Sequence, residues 1–156
     1  MTNQWPRNDR SSVSNPGPIY ESVPMVHVAD VERSVAFYAL LGFECASRFS
    51  SPDGVTGWAD LSSNRARIML ARATAPIDAN AQAVLLYMYS RDVRGLRNHL
   101  LMHNLADGGP PPGEGTVDPP TTGLTVFEVV PRFFMPAGEL RIHDPDGYCL
   151  LVGQIE

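Results

Sequence analysis

Two stretches of this chain carry the same order of elements, and that repetition limits the fold more than any other feature of its 156 residues. The apolar run VPMVHV at 23–28 leads to Asp30, a good helix N-cap, and VERSVAFYAL follows with Val31, Val35, Phe37 and Tyr38 near helical spacing. Gly42 stands where a helix ends in a left-handed residue. Strand-like runs come next at 43–49, 57–61 and 67–73, separated by the turn formers Pro52-Asp53-Gly54 and Ser62-Ser63-Asn64. The order then restarts. AVLLYMYS (83–90) has strong β-propensity, and Asp92 caps a second helix carrying Val93, Leu96 and Leu100. LTVFEVV and ELRIH read as strands, Asp144-Pro145-Asp146-Gly147 is a turn, and YCLLVGQ is a final strand. The two capping aspartates lie 62 residues apart. A single unrepeated α+β domain would also fit, but a duplicated βαβββ unit explains why a capping aspartate follows a strand both times.

Composition narrows the functional classes. With 44% hydrophobic and 19% charged residues the chain can bury a core. No apolar run reaches the ~20 residues that span a bilayer, so no membrane association is expected. The opening MTNQWPRNDRSS has no apolar h-region and is not read as a secretory signal. A net charge of −5 without a Lys/Arg cluster argues against nucleic acid, whose affinity comes largely from phosphate neutralisation. Cys45 and Cys149 stand far apart with no CxxC, which favours a reduced, cytoplasmic setting and leaves a disulfide open. Residues 1–21, broken by Pro6, Pro16, Gly17 and Pro18, are expected to form a flexible arm or an added strand. Residues 22–154 are expected to form one domain, with modules at about 22–75 and 82–154, and the Pro/Gly-rich stretch 107–123 reads as a loop or lid.

Three segments together resemble the vicinal-oxygen-chelate superfamily of glyoxalases, bleomycin-resistance proteins and extradiol dioxygenases. They are VPMVHVADVERSVAFYALLGF at 23–43, GWADLSSNRARIMLA at 57–71 and LRIHDPDGYCLLV at 140–152. The resemblance covers about residues 22–154. It implies an α+β fold in which two βαβββ modules form a cupped mixed sheet, with helices on the convex face and ligand in the concave one. Strand alternation then assigns faces. Val26 and Val28 are expected to meet the helix while Val23, Met25 and His27 face the cup. Ile68 and Leu70 are expected in the core, with Arg67, Met69 and Ala71 in the cup. In the strand 83–90, Leu85, Tyr87 and Tyr89 are assigned to the core and Val84, Leu86, Met88 and Ser90 to the cup.

Metalloenzymes of this superfamily place His, Glu or Gln ligands at four strand positions. The resemblance maps these onto Val23, Met69, Leu86 (within one residue) and Leu151, all apolar, so no metal and no other cofactor is expected. The metal-free, bleomycin-resistance-like branch is the nearest in pattern, and it implies a homodimer that binds its ligand between subunits.

His27 is either a ligand contact or a hydrogen-bonded wall residue; no orienting partner adjoins it in sequence, so a catalytic role is not assigned. Arg67 and Arg141 are candidates for recognising an oxygen-rich group bidentately, or else are solvated rim residues. Together with His27 they sit poorly with a cationic glycopeptide ligand. Met25, Met69 and Met88, with Leu86 and Leu151, read as an adaptable apolar lining or as filled core. Trp58 can stack a flat ligand or simply pack. Phe133, Phe134 and Met135 form an apolar knot in what reads as a connection, with Phe134 a candidate lid or interface residue. Cys149 reads as a small buried hydrophobe. His99 and His103 have metal-compatible i, i+4 spacing, yet no Glu lies between them and the segment reads as a solvent face.

The function expected is sequestration of an antibiotic-like small molecule without covalent chemistry. One alternative is a metalloenzyme with displaced ligands that recruits His27 and Glu128; another is a dimeric scaffold with a filled cup.

Overall fold

The computed structural model describes residues 17, 19–78, 81, 84–111 and 124–156. Most of the expected N-terminal arm, including Trp5, and residues 112–123 of the expected loop lie outside the described residues. In the first module β1 (Met25–Val28) leads into α1 (Val31–Leu40), then β2 (Glu44–Ser50), β3 (Thr56–Ser63) and β4 (Ala66–Arg72). The second begins with β5 (Leu86–Ser90) and α2 (Val93–Met102). Two short strands follow, β6 (Ala106–Asp107) and β7 (Thr125–Val126), and then β8 (Val130–Arg132), β9 (Met135–His143) and β10 (Cys149–Gln154).

The duplication is visible in the strand order. The first sheet runs β1-β4-β3-β2 and the second β5-β10-β9-β7-β6, with β8 also on β9. In both, the module's first strand pairs parallel with its last, and that last strand pairs antiparallel with the one before it. Both helices start identically. Asp30 accepts from the Arg33 amide (3.0 Å) and Asp92 from the Gly95 amide (2.8 Å), satisfying a donor each helix leaves open. Gly42 takes φ +87°, as its place after α1 requires. The expected cupped mixed sheet is thus built as two mixed sheets, one per module.

Two expectations about the second module are corrected. LTVFEVV is not one strand: it is interrupted at Phe127–Val129, where the Phe127 amide bonds the Arg141 carbonyl and the Glu128 amide bonds Gly109. The Phe133–Met135 segment is not a loose connection either. Arg132 and Met135 are register partners, so Phe133 and Phe134 form the tip of a tight β8–β9 hairpin.

One apolar core serves both modules. Val26, Val28, Val31, Phe37, Tyr38, Leu61, Ile68 and Leu70 from the first join Leu86, Val93, Leu100, Leu140, Ile142, Leu150 and Val152 from the second. Polar groups fasten the modules as well. The Asp144–Gly147 turn reaches back to α1, where Asp146 accepts from the Ala29 amide (3.2 Å), the Arg33 guanidinium (2.9 Å) and the Ser34 hydroxyl (3.5 Å). Tyr38 donates to Asp144 (3.2 Å), and Tyr148 donates to the His27 carbonyl (2.8 Å). Burial raises the Asp144 carboxyl to about 6, although it also accepts from the Tyr148 and Asp146 amides, which oppose the rise.

Candidate functional site

Each sheet has one side packed on its helix and a second side facing away from it. In the first sheet the assignment follows from the core: Val26, Val28, Ala59, Leu61, Ile68 and Leu70 point inward, so their neighbours in sequence point outward. Strand register then lines up two rows on the outer, helix-free side. Phe49, Trp58, Ala71 and His27 are successive partners across β2, β3, β4 and β1. Ser47, Asp60, Met69 and Met25 form the next row. This side is open: Met25 is 61% exposed, Phe49 is 65% exposed, His27 is exposed, and Trp58 and Met69 are half-buried. The expected neighbours Met25, His27, Trp58, Arg67 and Met69 are thus brought onto one surface.

Arg67 is not available there as a bidentate fork. Its Nε and one terminal nitrogen hold the two Asp60 oxygens at 3.0 and 2.8 Å, and its other terminal nitrogen reaches Glu21 at 3.4 Å. Hydrogen bonding to Arg67 lowers the Asp60 carboxyl below its ordinary range, so the pair remains ionised and self-neutralised. The local balance is set by one arginine against two carboxylates, which removes the objection to a cationic ligand that Arg67 had raised.

The second sheet corrects the face assignment of 83–90. Leu86 lies in the core cluster and Met88 packs against it, while Tyr87 and Tyr89 face the helix-free side. The expected three-methionine cluster does not form, because Met88 is on the opposite side of its sheet from the face that carries Met25 and Met69 in the other. Alternation gave no parity here, since AVLLYM has an apolar or aromatic residue at every step. Leu151 does face the helix-free side, beside Tyr87 and Arg141, but it is 5% exposed. Arg141, between the core residues Leu140 and Ile142, is 2% exposed. Sequence reading also missed Glu139, buried on the same side of β9, which accepts from the Tyr87 hydroxyl (2.9 Å) and the Arg132 guanidinium (3.3 Å). Gly153 makes room for this contact, because a Cβ there would meet the Tyr87 hydroxyl at 3.0 Å and the Met135 methyl at 2.6 Å.

The metal positions can now be tested as chemistry. Val23, Met69 and Leu151 have no donor suited to zinc, nickel or iron, and Leu86 points into the core. The residue that takes its place on the helix-free side is Tyr87, whose phenol is held protonated by burial and by the Glu139 carboxylate. These residues do not fit the superfamily's metal. The proposed substitutes are not brought together: Glu128 lies beside Arg94, Arg97 and Asn98 on the α2 side, whereas His27 is on the first sheet's helix-free side. Among the described residues no three His, Cys, Asp or Glu side chains converge on a metal position.

Elsewhere, a polar cavity of about 240 Å³ sits at the start of α1, lined by Asp30, Glu32, Thr56 and Arg72. Glu32 there is held by Arg48 (2.9 Å) and the Thr56 hydroxyl (2.6 Å), so its carboxylate is already engaged. Phe134 is half-exposed at the β8–β9 tip and Phe133 is 91% exposed, so this hairpin end is not folded into the core. Among the described residues no helix is long and apolar enough to cross a membrane.

No family model and no curated protein matches the chain. Solved structures do share its fold. A bleomycin-binding protein complexed with bleomycin is similar at 17% identity and TM-score 0.63, covering 87% of this chain and 98% of that one. The bleomycin-binding protein of Streptomyces verticillus, complexed with copper(II)-bleomycin, is similar at 18% identity and TM-score 0.61, over 90% and 99% of the two chains. A glyoxalase family protein from Enterococcus faecalis is similar at 14% identity and TM-score 0.60, over 85% and 94%.

Proposed function

With the glyoxalase/bleomycin-resistance/dioxygenase fold as its framework, we propose that this chain binds an antibiotic-like small molecule and protects by sequestration, without a metal and without covalent chemistry. The observation that carries this reading is the open face of the first sheet. Met25, Phe49, Trp58 and Met69 present an apolar, partly aromatic surface with His27 at its edge, and four of the superfamily's metal positions lack a usable donor. A flat amphipathic compound seated there gains about 25 cal/mol for each Å² of apolar surface removed from water. Methionine side chains adapt to its outline and Trp58 offers a stacking plane. His27 supplies one polar contact.

Among the described residues this surface is open on one side, and a second copy of the chain offers a matching face to cover it. The reading is therefore of a homodimer with ligand between the subunits, in the cytoplasm, a setting favoured by two cysteines that stand far apart with no CxxC. Bleomycin in complex with a protein of the same fold supports the ligand class. The self-neutralised Arg67–Asp60 pair supports tolerance of a cationic compound.

The test is a fluorescence titration of a Trp5→Phe variant, in which Trp58 is the remaining emitter, with bleomycin and other amphipathic antibiotics in the presence of EDTA. Saturable quenching at micromolar or lower concentration is expected for at least one compound. Emission unchanged across the whole series would favour a scaffold with no ligand.

A further inference from the structure

The α2 helix ends in an exposed pair of histidines that the binding face does not use. His99 and His103 are four residues apart, so they lie one turn above each other, and their ring centroids are 4.2 Å apart. Both are exposed. His103 is the C-cap of the helix: its amide bonds the His99 carbonyl at 3.2 Å, and its ring Nδ1 lies 2.8 Å from the same oxygen. A carbonyl oxygen can only accept, so Nδ1 of His103 carries the proton. In the neutral ring this leaves the Nε2 lone pair facing outward, and a backbone carbonyl on the opposite nitrogen is the arrangement that fixes the tautomer of metal-binding histidines. Met102, 80% exposed, lies on the adjoining part of the same helical arc and adds a thioether sulfur. The site also sits at the negative end of the helix dipole, which favours a cation.

We propose that His99 and His103 form a surface chelate for copper(II), with Met102 as a weak additional ligand. The choice of metal rests on the two imidazoles, because copper(II) stands highest among the divalent first-row ions for nitrogen donors. The site is separate from the superfamily's metal positions, on a helix rather than on the sheet face, and the chelate is complete within one chain.

The test titrates the full chain, freed of metal, with copper(II) chloride against glycine as a competing weak chelator. Stoichiometry is read by calorimetry and donor atoms by electron paramagnetic resonance. One copper per chain with coupling to two imidazole nitrogens is expected, together with at least a tenfold preference over zinc. His99→Gln and His103→Gln should each weaken binding at least tenfold, while the far-UV circular dichroism of both variants stays that of wild type. His27→Gln should leave binding intact. The proposal is overturned by copper affinity that survives both helix substitutions or is lost with His27. Half an equivalent per chain would overturn it too, since that would mean one histidine from each of two copies. Zinc binding as tight as copper binding would overturn the choice of metal.

Discussion

The first sheet buries one side and leaves the other open, whereas the two central strands of the second are buried on both. Outward positions on β1 and β2 are exposed, as Met25, His27 and Phe49 show. On β9 and β10 the residues on both sides, Leu140 and Arg141, Leu150 and Leu151, are all buried. Two modules with the same strand order have thus taken different roles. Along β9 and β10 the second carries its helix-free side as part of the folded interior, with charged groups such as Glu139 satisfied by Tyr87 and Arg132. The first keeps a surface that adds little to folding, and that is the surface the proposed function uses.

Leu151 and Met69 occupy the same side of the corresponding last strands β10 and β4, so they offer the sharpest contrast. Leu151→Ala should cost about 3 kcal/mol in urea unfolding, as truncation of a buried leucine does, and Met69→Ala under about 1 kcal/mol. Equal losses would break the distinction between the sheets.

A second effect concerns the turn that joins the modules. Asp144 has its folded pKa raised from 3.8 to about 6, so the folded state holds a proton between those values that the unfolded state releases. Its contribution is therefore greatest at or below pH 4, falls as the pH rises toward 6 and is absent above it. The full swing is about 3 kcal/mol at 1.36 kcal/mol per unit. Denaturation curves at pH 5.0 and 7.5 should show higher stability at the lower pH, and Asp144→Asn should flatten that difference. A wild-type profile flat over this window would contradict the assignment.

Smaller effects separate the two tyrosines of β5. Tyr87→Phe removes the hydroxyl partner of buried Glu139 and should cost about 1–2 kcal/mol, while exposed Tyr89→Phe should stay within about 0.5 kcal/mol. The least change is expected on the open face, where Met25→Ser should shift unfolding free energy by no more than about 0.5 kcal/mol.

The same contrast explains what could be read from sequence. Alternation works where one side is wet, so Val26, Val28, Ile68 and Leu70 were legible as core and Met25, His27 and Met69 as their opposites. It fails for Leu86 and Met88, because a strand buried on both sides has no polar residue to mark parity. The capping aspartates and Gly42 were legible because each acts on backbone within three or four residues. The partner of Tyr87 was not, since Glu139 lies 52 positions away and meets it only through the pairing of β10 with both β5 and β9. The face of Arg67 follows from the alternation of β4, but its engagement by Asp60 depends on the register of the β3–β4 hairpin.

The central claim is that the first sheet's open face binds a small molecule without a metal. The direct measurement is calorimetric titration in EDTA of a compound that quenches Trp58, comparing wild type with Met25→Ser and Phe49→Ser. Binding to wild type, weakened at least tenfold in both variants while their melting temperatures stay unchanged, is the predicted result. Equal affinity in all three proteins, or binding that appears only when a divalent metal replaces EDTA, would contradict it.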